Sequence, residues 1–325
     1  MRALIHPTFG APEEVLRIED RPLPEPAAGQ VRLRVVLSPI HNHDLWTVRG
    51  TYGFKPELPA ASGTEALGVV DALGAGVEHL AIGQRVATGG TFGAWAEYIV
   101  ANAAGLIPIP DGLPDETAAQ LVSMPFSAIT LLDFLAVKEG DWIVQNAANG
   151  AVGRMLAQLG SARGVNVVGL VRRRAGIEEL REQGIDRIVS TDQADWKERV
   201  GALTGGAPIA AGVDSVGGAS AGQVLSLLTE GGTLVAFGAM DSPTMEIASS
   251  NVIFKQATVK GFWGSKVIPG LDPTTRSALF GELFQRLSDG SLTLPVAGVF
   301  DAADIGAAVQ ASDTAGRVGK VLLRF

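Results

Sequence analysis

The stretch that decides the fold is Trp142-Ile143-Val144-Gln145-Asn146-Ala147-Ala148-Asn149-Gly150-Ala151-Val152-Gly153. An apolar strand runs into a turn of small residues, and a helix follows. Ala148, Gly150 and Gly153 occupy the three positions of G-x-G-x-x-G, where the second lets the backbone approach a pyrophosphate and the third lets helix and strand pack closely. We therefore predict a nucleotide-binding turn, with a merely structural turn as the alternative. The predicted cofactor-binding residues are Asn149, Gly150, Ala151, Val152 and Gly153.

Downstream of this turn, strands and helices alternate, and most of the helices end at a glycine. The predicted strands are Trp142–Gln145, Val165–Val171, Arg187–Ser190, Ile209–Asp214, Thr233–Gly238 and Thr258–Phe262. The predicted helices between them are Gly150–Arg163, Ile177–Gln183, Trp196–Leu203 and Ala221–Leu228. Apolar strands in such an alternation imply a parallel sheet covered by helices on both faces. The class is therefore α/β, and six strands fit a doubly wound dinucleotide-binding (Rossmann) sheet.

The end of the second strand indicates which dinucleotide is bound. An NAD-binding protein normally places Asp or Glu there, against the ribose hydroxyls. This chain instead has Arg172, Arg173 and Arg174 after Val171. Guanidinium groups suit a 2′-phosphate, whereas an acid would repel it. We therefore predict that NADPH is the cofactor and that Arg172 and Arg173 bind it, with a solvated charge run as the alternative.

The first third of the chain is typical of an antiparallel β domain. Val31–Ser38 alternates apolar and charged residues, and Glu65–Leu73 is a second strand of this region. A long helical stretch, Asp115–Leu135, follows, with a break expected near Pro125. The end of the chain, residues 317–325, reads as a strand that returns to the β domain. We assign residues 1–118 and 266–325 to this domain and residues 119–265 to the dinucleotide-binding domain.

The composition of the 325 residues excludes several classes of site and protein. No cysteine is present, so disulfides, thiolate zinc sites and a cysteine nucleophile are excluded. The net charge of −8 argues against a nucleic-acid-binding protein. No apolar run is long enough to span a membrane, and the first residues lack the apolar stretch of a secretion signal. A cytoplasmic protein that acts on a small molecule is the expectation.

Four segments resemble a known family, namely Arg49–Pro59, Gln145–Arg154, Val171–Arg173 and Lys260–Trp263. Together they resemble the zinc-independent medium-chain dehydrogenases/reductases, and within them the NADPH-dependent trans-2-enoyl-thioester reductases of the mitochondrial type. The resemblance implies a GroES-like β domain beside the Rossmann domain, with the substrate in the cleft between them. It also implies a homodimer in which Thr258–Phe262 joins two dinucleotide sheets edge to edge.

Two aromatic residues are the candidates for catalysis. Tyr52 lies in a glycine-rich loop and matches the tyrosine proposed as catalytic in the resembled family. Its phenol can donate a hydrogen bond to an enolate without carrying charge. Trp263 follows the last strand of the dinucleotide domain, and the resemblance places it in the substrate pocket. A half-buried loop aromatic and an interdomain packing residue are the respective alternatives.

Whether zinc is bound turns on residues 40–45, Ile40-His41-Asn42-His43-Asp44-Leu45, and on Gly63-Thr64-Glu65. In zinc alcohol dehydrogenases, which the superfamily includes, these two places hold a Cys and a Gly-His-Glu segment, and a second Cys falls at or near Met124. The cysteine ligands are absent here, so no metal is predicted. His41 and His43 would point the same way on an extended segment, which leaves an unusual site with Asp44 and Glu65 as the alternative.

The same segment supplies three polar candidates for the substrate cleft, Asn42, His43 and Asp44. The histidines line the cleft in one interpretation and are ordinary loop residues in the other. They depart from the Asn-Pro-x-Asp type of sequence common in enoyl reductases.

Several functions therefore stay open at this point. The first hypothesis is an NADPH-dependent reductase of activated C=C bonds, with 2-enoyl thioesters of coenzyme A or acyl carrier protein as substrates. The second is an NADPH-dependent quinone or enone oxidoreductase on the same scaffold. A zinc-type alcohol dehydrogenase and a non-catalytic NADPH-binding protein are the remaining alternatives.

Overall fold

The computed structural model describes residues 1–314 and 316–325 of the chain. Within this part the chain forms two units, of which the first is discontinuous. Unit 1 comprises Met1–Met124 and Leu294–Phe325, and unit 2 comprises Pro125–Thr293. Unit 2 is therefore an insertion in the sequence of unit 1.

The strands of the described residues are named here in chain order. They are β1 (Arg2–His6), β2 (Arg17–Asp20), β3 (Gln30–Pro39), β4 (Ala60–Ala61), β5 (Glu65–Leu73), β6 (Arg85–Gly89), β7 (Tyr98–Asn102), β8 (Ile107–Pro108), β9 (Trp142–Gln145), β10 (Asn166–Val171), β11 (Ile188–Ser190), β12 (Ile209–Asp214), β13 (Thr233–Ala236), β14 (Thr258–Gly261), β15 (Val296–Asp301) and β16 (Lys320–Arg324).

The helices of the same residues are likewise named in chain order. They are α1 (Pro12–Val15), α2 (Asn42–Arg49), α3 (Asp115–Ala118), α4 (Met124–Phe134), α5 (Ala151–Ala162), α6 (Ala175–Arg181), α7 (Trp196–Thr204), α8 (Gly218–Leu227), α9 (Ser249–Lys255), α10 (Gly264–Val267), α11 (Pro273–Ser288) and α12 (Ile305–Asp313).

Unit 1 is built around the long strand β3. Val31, Leu33 and Val35 of this strand are buried, as the alternating pattern predicts. The strand pairs antiparallel with β5, β7 and β16, in a sheet of order β15-β16-β3-β5-β6-β8. A second sheet has the order β2-β1-β4. The prediction that the last strand returns to the β domain is confirmed, because β16 pairs with β3.

Unit 2 is built on a parallel sheet of order β11-β10-β9-β12-β13-β14. The six strands of the predicted doubly wound sheet are confirmed, and five of them keep their predicted bounds within one residue at each end. The chain leaves β9 toward β10 on one side and later returns to β12 on the other. The carboxyl ends of β9 and β12 therefore form the point where the strand order reverses, which is where such sheets bind ligands.

Residues 266–293 lie in unit 2, whereas the predicted boundaries assigned them to the β domain. Their main element, α11, packs within unit 2. The ring of Phe280 stacks on that of Phe126 with centroids 4.1 Å apart, and Glu282 binds Arg163 at 2.8 Å. The predicted boundary is therefore wrong for this segment, because the helix that follows the last strand of the parallel sheet packs within unit 2.

The segment around His43 is helical, so the extended backbone that the alternative metal site requires is not formed. α2 begins after His41 and ends at Arg49, with Gly50 in the left-handed conformation at φ 75°. Asp44 stands in the first turn, and its carboxylate accepts a hydrogen bond from the backbone N–H of His41 at 3.0 Å. This contact caps the helix. Burial of Leu45 and Val48 then holds it against the core of unit 1.

Candidate functional site

The turn between β9 and α5 is shaped by two close approaches of backbone. Ala147 adopts a left-handed conformation with φ 49°, and its carbonyl accepts a hydrogen bond from the N–H of Gly150 at 2.8 Å. A Cβ on Gly153 would lie 2.7 Å from the oxygen of Ala147 and 2.9 Å from Ala148 Cα. Only glycine at 153 therefore allows α5 to pack this closely against the turn.

The amino end of α5 can receive an anion. Gly150 is the residue before the helix, and no side chain of the described residues caps the helix there. Gly150 and Ala151 are exposed, while Asn149 and Val152 are half-buried. The first N–H groups of a helix lack intrahelical acceptors and carry partial positive charge, so they suit a phosphate group. The predicted residues thus stand together at one helix end.

The end of β10 presents the arginines to solvent. Arg172 and Arg173 are exposed, and within residues 1–314 and 316–325 neither forms an ion pair. No acid follows β10 directly. β10 pairs in parallel with β9, so the carboxyl ends of both strands lie at one edge of the sheet. The arrangement fits the adenosine 2′-phosphate of NADPH.

A polar tie between β9 and β12 was missed by the sequence analysis. Asn146 Nδ2 donates to Asp214 Oδ1 at 2.5 Å and to Ser220 Oγ at 2.9 Å. The N–H of Ser215 donates to Asn146 Oδ1 at 2.7 Å. Asp214 also accepts from the N–H of Gly217. The available signal was that Asn146 and Asp214 both end apolar strands, whose carboxyl ends meet in a parallel sheet.

A second polar cluster lies in unit 1, around the buried pair of His41 and Glu65. His41 Nε2 and Glu65 Oε2 are 2.6 Å apart, and both side chains are fully buried. The other carboxyl oxygen, Oε1, accepts the N–H groups of Val122 at 2.6 Å and Ser123 at 2.9 Å. This carboxyl group thus connects the segment before α2 to the chain that precedes α4.

Burial controls the protonation of this pair. It raises the pKa of Glu65 to about 7, against the effect of the hydrogen bonds from Ser123 and Val122. It lowers the pKa of His41 well below its usual value. Both shifts favour a pair in which a single proton is shared. Lys320 is buried too, and desolvation lowers the pKa of its amine to about 8.

Beside this pair, a chain of hydrogen bonds leads from Asp44 to His43. Thr64 Oγ1 donates to Asp44 Oδ1 at 2.7 Å, and His43 Nε2 lies 2.8 Å from the same hydroxyl. The ring of His43 stacks on that of His41, with centroids 5.0 Å apart. Its centroid is 5.8 Å from that of Tyr52. The structure therefore brings together Tyr52, His43 and Asp44, and Asn42 is exposed at the start of the same helix.

Trp263 lies in unit 2, two residues after β14, and is partly exposed as the residue before α10. Its ring centroid is 5.8 Å from Lys266 Nζ. The preceding residue, Phe262, is buried and packs edge-on against Phe134. Trp263 thus stands just beyond the carboxyl end of β14, the last strand of the parallel sheet.

The four residues of the alternative metal site do not fit zinc. Zinc is held by thiolate, imidazole and carboxylate ligands with an open tetrahedral geometry. His41 Nε2 is instead joined to Glu65, whose other oxygen accepts two backbone N–H groups. His43 Nε2 is joined to a hydroxyl. Among the described residues, no group of three or more His, Asp or Glu side chains has the arrangement of a metal site.

A change at Glu65 tests the pair through the pH dependence of stability. Between the ordinary pKa of 4.5 and about 7, folded Glu65 keeps a proton that unfolded Glu65 has released. The raised pKa of Glu65 therefore lowers the free energy of unfolding as the pH rises through that window. The side chain of Glu65→Gln does not titrate, so this loss of stability is absent from the variant. Its amide oxygen can still accept the hydrogen bonds from the N–H groups of Val122 and Ser123. Unfolding in urea measures the effect. We expect the free energy of unfolding of the variant to increase relative to that of wild type as the pH is raised from about 5 to about 8.

Glu97→Gln is the matched control for this experiment. Hydrogen bonds from the backbone N–H and the guanidinium of Arg2 lower the pKa of Glu97. The contribution of Glu97 to the free energy of unfolding therefore stays constant above about pH 5. The difference between wild type and this control should stay constant over the same range. A constant difference for Glu65→Gln as well would contradict the raised pKa of Glu65.

No helix in the described part of the chain has the length and apolar character that a membrane crossing requires.

The family model described as "Alcohol dehydrogenase GroES-like domain" matches residues 27–111. The family model described as "Zinc-binding dehydrogenase" matches residues 151–279. The predicted pairing of a GroES-like domain with a Rossmann-type sheet is confirmed by these matches and by the six-stranded parallel sheet.

Three known proteins illustrate the similarity. The mitochondrial enoyl-[acyl-carrier-protein] reductase of Arabidopsis thaliana is 34% identical over 269 residues, which cover 81% of this chain and 72% of the relative. A Bacillus thuringiensis protein assigned as an NADPH:quinone reductase has a TM-score of 0.91 and 27% identity, covering 100% of this chain and 98% of its own. A mycobacterial protein complexed with NADPH has a TM-score of 0.88 and 28% identity, with both chains covered completely.

Proposed function

Because the chain belongs to the medium-chain dehydrogenase/reductase family, we propose that it is an NADPH-dependent reductase of activated C=C bonds. The proposed substrates are trans-2-enoyl thioesters. The relation to enoyl-[acyl-carrier-protein] reductases supports the substrate class. The observation that carries the proposal is the uncapped, glycine-lined end of α5 beside two unpaired arginines, in the part of the chain described. That arrangement selects a phosphorylated dinucleotide.

The residues of unit 2 bind and orient the cofactor in this proposal. The N–H groups at the start of α5 hold the pyrophosphate, and Arg172 and Arg173 hold the 2′-phosphate. The tie between Asn146 and Asp214 fixes the edge of the sheet on which the dinucleotide rests. Bound NADPH supplies the hydride for the β-carbon of the substrate.

Tyr52 of unit 1 handles the charge that develops on the substrate. Addition of hydride to an enoyl thioester places negative charge on the thioester oxygen and leaves the α-carbon to be protonated. The Tyr52 hydroxyl stabilises this enolate by a hydrogen bond and then gives its proton to the α-carbon. Zinc takes no part in this scheme, because the donor set around His41 does not fit it.

Oxidation of NADPH by the purified protein tests the proposal against its rivals. Crotonyl-CoA, a simple enone and a quinone are supplied in parallel. Turnover of crotonyl-CoA at a higher kcat/KM than the other two supports the proposal. NADPH binding with every enoyl thioester inert would overturn it.

Quinone reduction is the second candidate function. The Bacillus thuringiensis relative, which matches the fold over the whole chain, favours it. Both reactions begin with hydride delivery to a conjugated acceptor. They differ in the need for a proton at carbon, so an active protein that reduces quinones and ignores thioesters belongs to this second class.

The arginines after β10 should set the choice between NADPH and NADH. Replacing both by alanine removes the charge-assisted bonds to the 2′-phosphate. We expect the double variant Arg172→Ala with Arg173→Ala to bind NADPH roughly 10-fold to 100-fold more weakly, with NADH affinity nearly unchanged. Fluorescence titration measures both. Arg181→Ala is the control, since Arg181 pairs with Glu178 on the surface of α6; an equal loss there would point to a general charge effect.

We also propose that the protein is a homodimer joined along β14. This strand pairs with β13 alone within the described sheet, and Thr258, Val259 and Gly261 are exposed. Strands of parallel sheets are normally covered. Immediately upstream, α9 exposes Ile253 and Phe254, the latter 80% accessible. Apolar groups beside an open strand edge are typical of an interface between subunits.

Charges on α9 test the dimer. Size-exclusion chromatography with multi-angle light scattering should give wild type a mass of twice the chain mass of 33.7 kDa. The double variant Ile253→Asp with Phe254→Asp should elute at the mass of one chain, because carboxylates cannot be buried unpaired in an interface. Ile82→Asp alters an equally exposed apolar residue of unit 1 and should remain dimeric. A wild-type monomer, or a dimer that survives both α9 charges, would contradict this interface.

A further inference from the structure

Three side chains of unit 1 form a directed hydrogen-bond chain that ends beside Tyr52. The carboxylate of Asp44 is buried and has two donors, the N–H of His41 on Oδ2 and the hydroxyl of Thr64 on Oδ1. The distance from Thr64 Oγ1 to His43 Nε2 is 2.8 Å. His43 is the outermost member, with 22% of its side chain accessible.

The count of protons fixes the direction of this chain. A threonine hydroxyl has one proton to donate, and here it points to Asp44. Thr64 must therefore accept from His43, so Nε2 of His43 carries the hydrogen. In the neutral imidazole the other nitrogen, Nδ1, is then the basic atom. The fold thus holds this imidazole in one tautomer.

The groups that surround His43 differ in charge. Asp44 Oδ1 lies 3.4 Å from Nε2 and supplies negative charge. His41, stacked on the other side, stays neutral because burial lowers its pKa. Glu65 shares its proton with His41, and Lys320 donates to the carbonyl of Ile40 at 3.5 Å. The carboxylate of Asp44 therefore contacts His43 in two ways, directly and through the hydroxyl of Thr64.

We propose that the chain Asp44–Thr64–His43 returns a proton to Tyr52 after each turnover. The inference rests on the proposed reductase function and adds a proton route to it. When the α-carbon forms its new C–H bond, the Tyr52 O–H bond breaks and leaves a phenolate. Nδ1 of His43 takes a proton from water and passes it to this phenolate, while Asp44 stabilises the imidazolium through Thr64. One proton from water is consumed for each double bond reduced.

Thr64 gives the sharpest test, because it touches neither Tyr52 nor the reacting atoms in this scheme. Thr64→Val keeps the shape and removes the hydroxyl, whereas Thr64→Ser keeps the hydroxyl. We expect kcat with crotonyl-CoA to fall about 10-fold to 100-fold in Thr64→Val, with KM for NADPH unchanged. Thr64→Ser should recover most of the loss. Thr130→Val is the control, since that buried hydroxyl has no hydrogen-bond partner among the described residues.

The solvent isotope effect separates proton delivery from simple damage to the fold. In Thr64→Val the effect of D₂O on kcat should increase, because return of the proton becomes rate-limiting. His43→Asn should likewise have a lower kcat and a larger effect of D₂O on kcat. In this variant the Thr64 hydroxyl has no imidazole to act through, so adding Thr64→Val should lower kcat no further. Full activity in Thr64→Val, or equal losses in the Ser and Val variants, would overturn the inference.

The two proposals fail in different ways. If wild type binds NADPH and leaves crotonyl-CoA unreduced, the proposed function fails before the variants are measured. If wild type reduces crotonyl-CoA and Thr64→Val does so equally well, the function stands and the proton route is rejected.

Discussion

Replacing Tyr52 by phenylalanine is expected to lower kcat for crotonyl-CoA by about 100-fold to 10,000-fold, the range that a positioned proton donor contributes. Phenylalanine keeps the ring that packs beside His43 and removes only the hydroxyl. The enolate then loses both a hydrogen-bond donor and its proton source. Affinity for NADPH should be nearly unchanged, because the predicted cofactor-binding residues all lie in unit 2.

Steady-state kinetics with crotonyl-CoA and fluorescence titration with NADPH measure the two quantities separately. Tyr98→Phe is the matched control, since the chain has only two tyrosines and Tyr98 lies in β7. It should retain wild-type kcat. If Tyr52→Phe keeps kcat within a factor of about two, Tyr52 is a packing residue and the proton comes from elsewhere.

Gly153→Ala is expected to damage both stability and cofactor binding. The new Cβ would approach the oxygen of Ala147 at 2.7 Å, closer than real Cβ contacts allow, so α5 or the turn must move. Such forced packing costs about 1–3 kcal/mol of unfolding free energy. The same movement displaces the N–H groups that receive the pyrophosphate, and we expect NADPH affinity to fall at least about 10-fold.

Gly201→Ala provides the matched control in the same unit. Gly201 lies inside α7, and no described heavy atom stands within 4 Å of a Cβ built there. Alanine is better than glycine in a helix by about 0.5–1 kcal/mol, so this variant should be slightly more stable and bind NADPH normally. Urea unfolding and NADPH titration check both variants. A Gly153→Ala protein as stable as Gly201→Ala would contradict the close packing of α5.

Much of unit 2 is predictable because its signals are local. Apolar strands, amphipathic helices and glycines at helix ends follow one another, and Asn149–Gly153 spans the end of the turn after β9 and the first residues of α5, as expected. In unit 1 the alternation of buried apolar and more exposed charged residues along β3 is predictable in the same way. These elements are specified by residues close together in sequence, so no knowledge of distant contacts was needed.

The helix α2 was less predictable because it depends on tertiary packing. Its sequence is mostly polar, with His43 and Asp44 at the start, and Leu45 and Val48 are its aliphatic residues in the core of unit 1. Two signals were available nevertheless. Asp44 stands where a first-turn carboxylate caps a helix, and Gly50 stands where a helix ends in the left-handed conformation.

The pairings of the candidate site lie beyond sequence reasoning. His41 meets Glu65 across 24 positions, and Asn146 meets Asp214 across 68. Both contacts follow from which strands become neighbours, which the spacing of residues leaves open. The composition excludes a thiolate zinc site, whereas the burial that favours a shared proton between His41 and Glu65 depends on tertiary packing.

The insertion of unit 2 into unit 1 constrains the order in which a ribosome-bound chain can fold. Unit 2 is continuous, so it can fold as soon as residue 293 has emerged. Unit 1 must wait for β16, whose Leu322 and Leu323 pair with Pro39 and Ser38, and whose Val321 accepts the N–H of Ile40. The segment that carries His41 is thus paired with a strand that is synthesised only after the whole of unit 2. A chain that terminates soon after residue 293 would therefore contain a complete unit 2 and an incomplete unit 1.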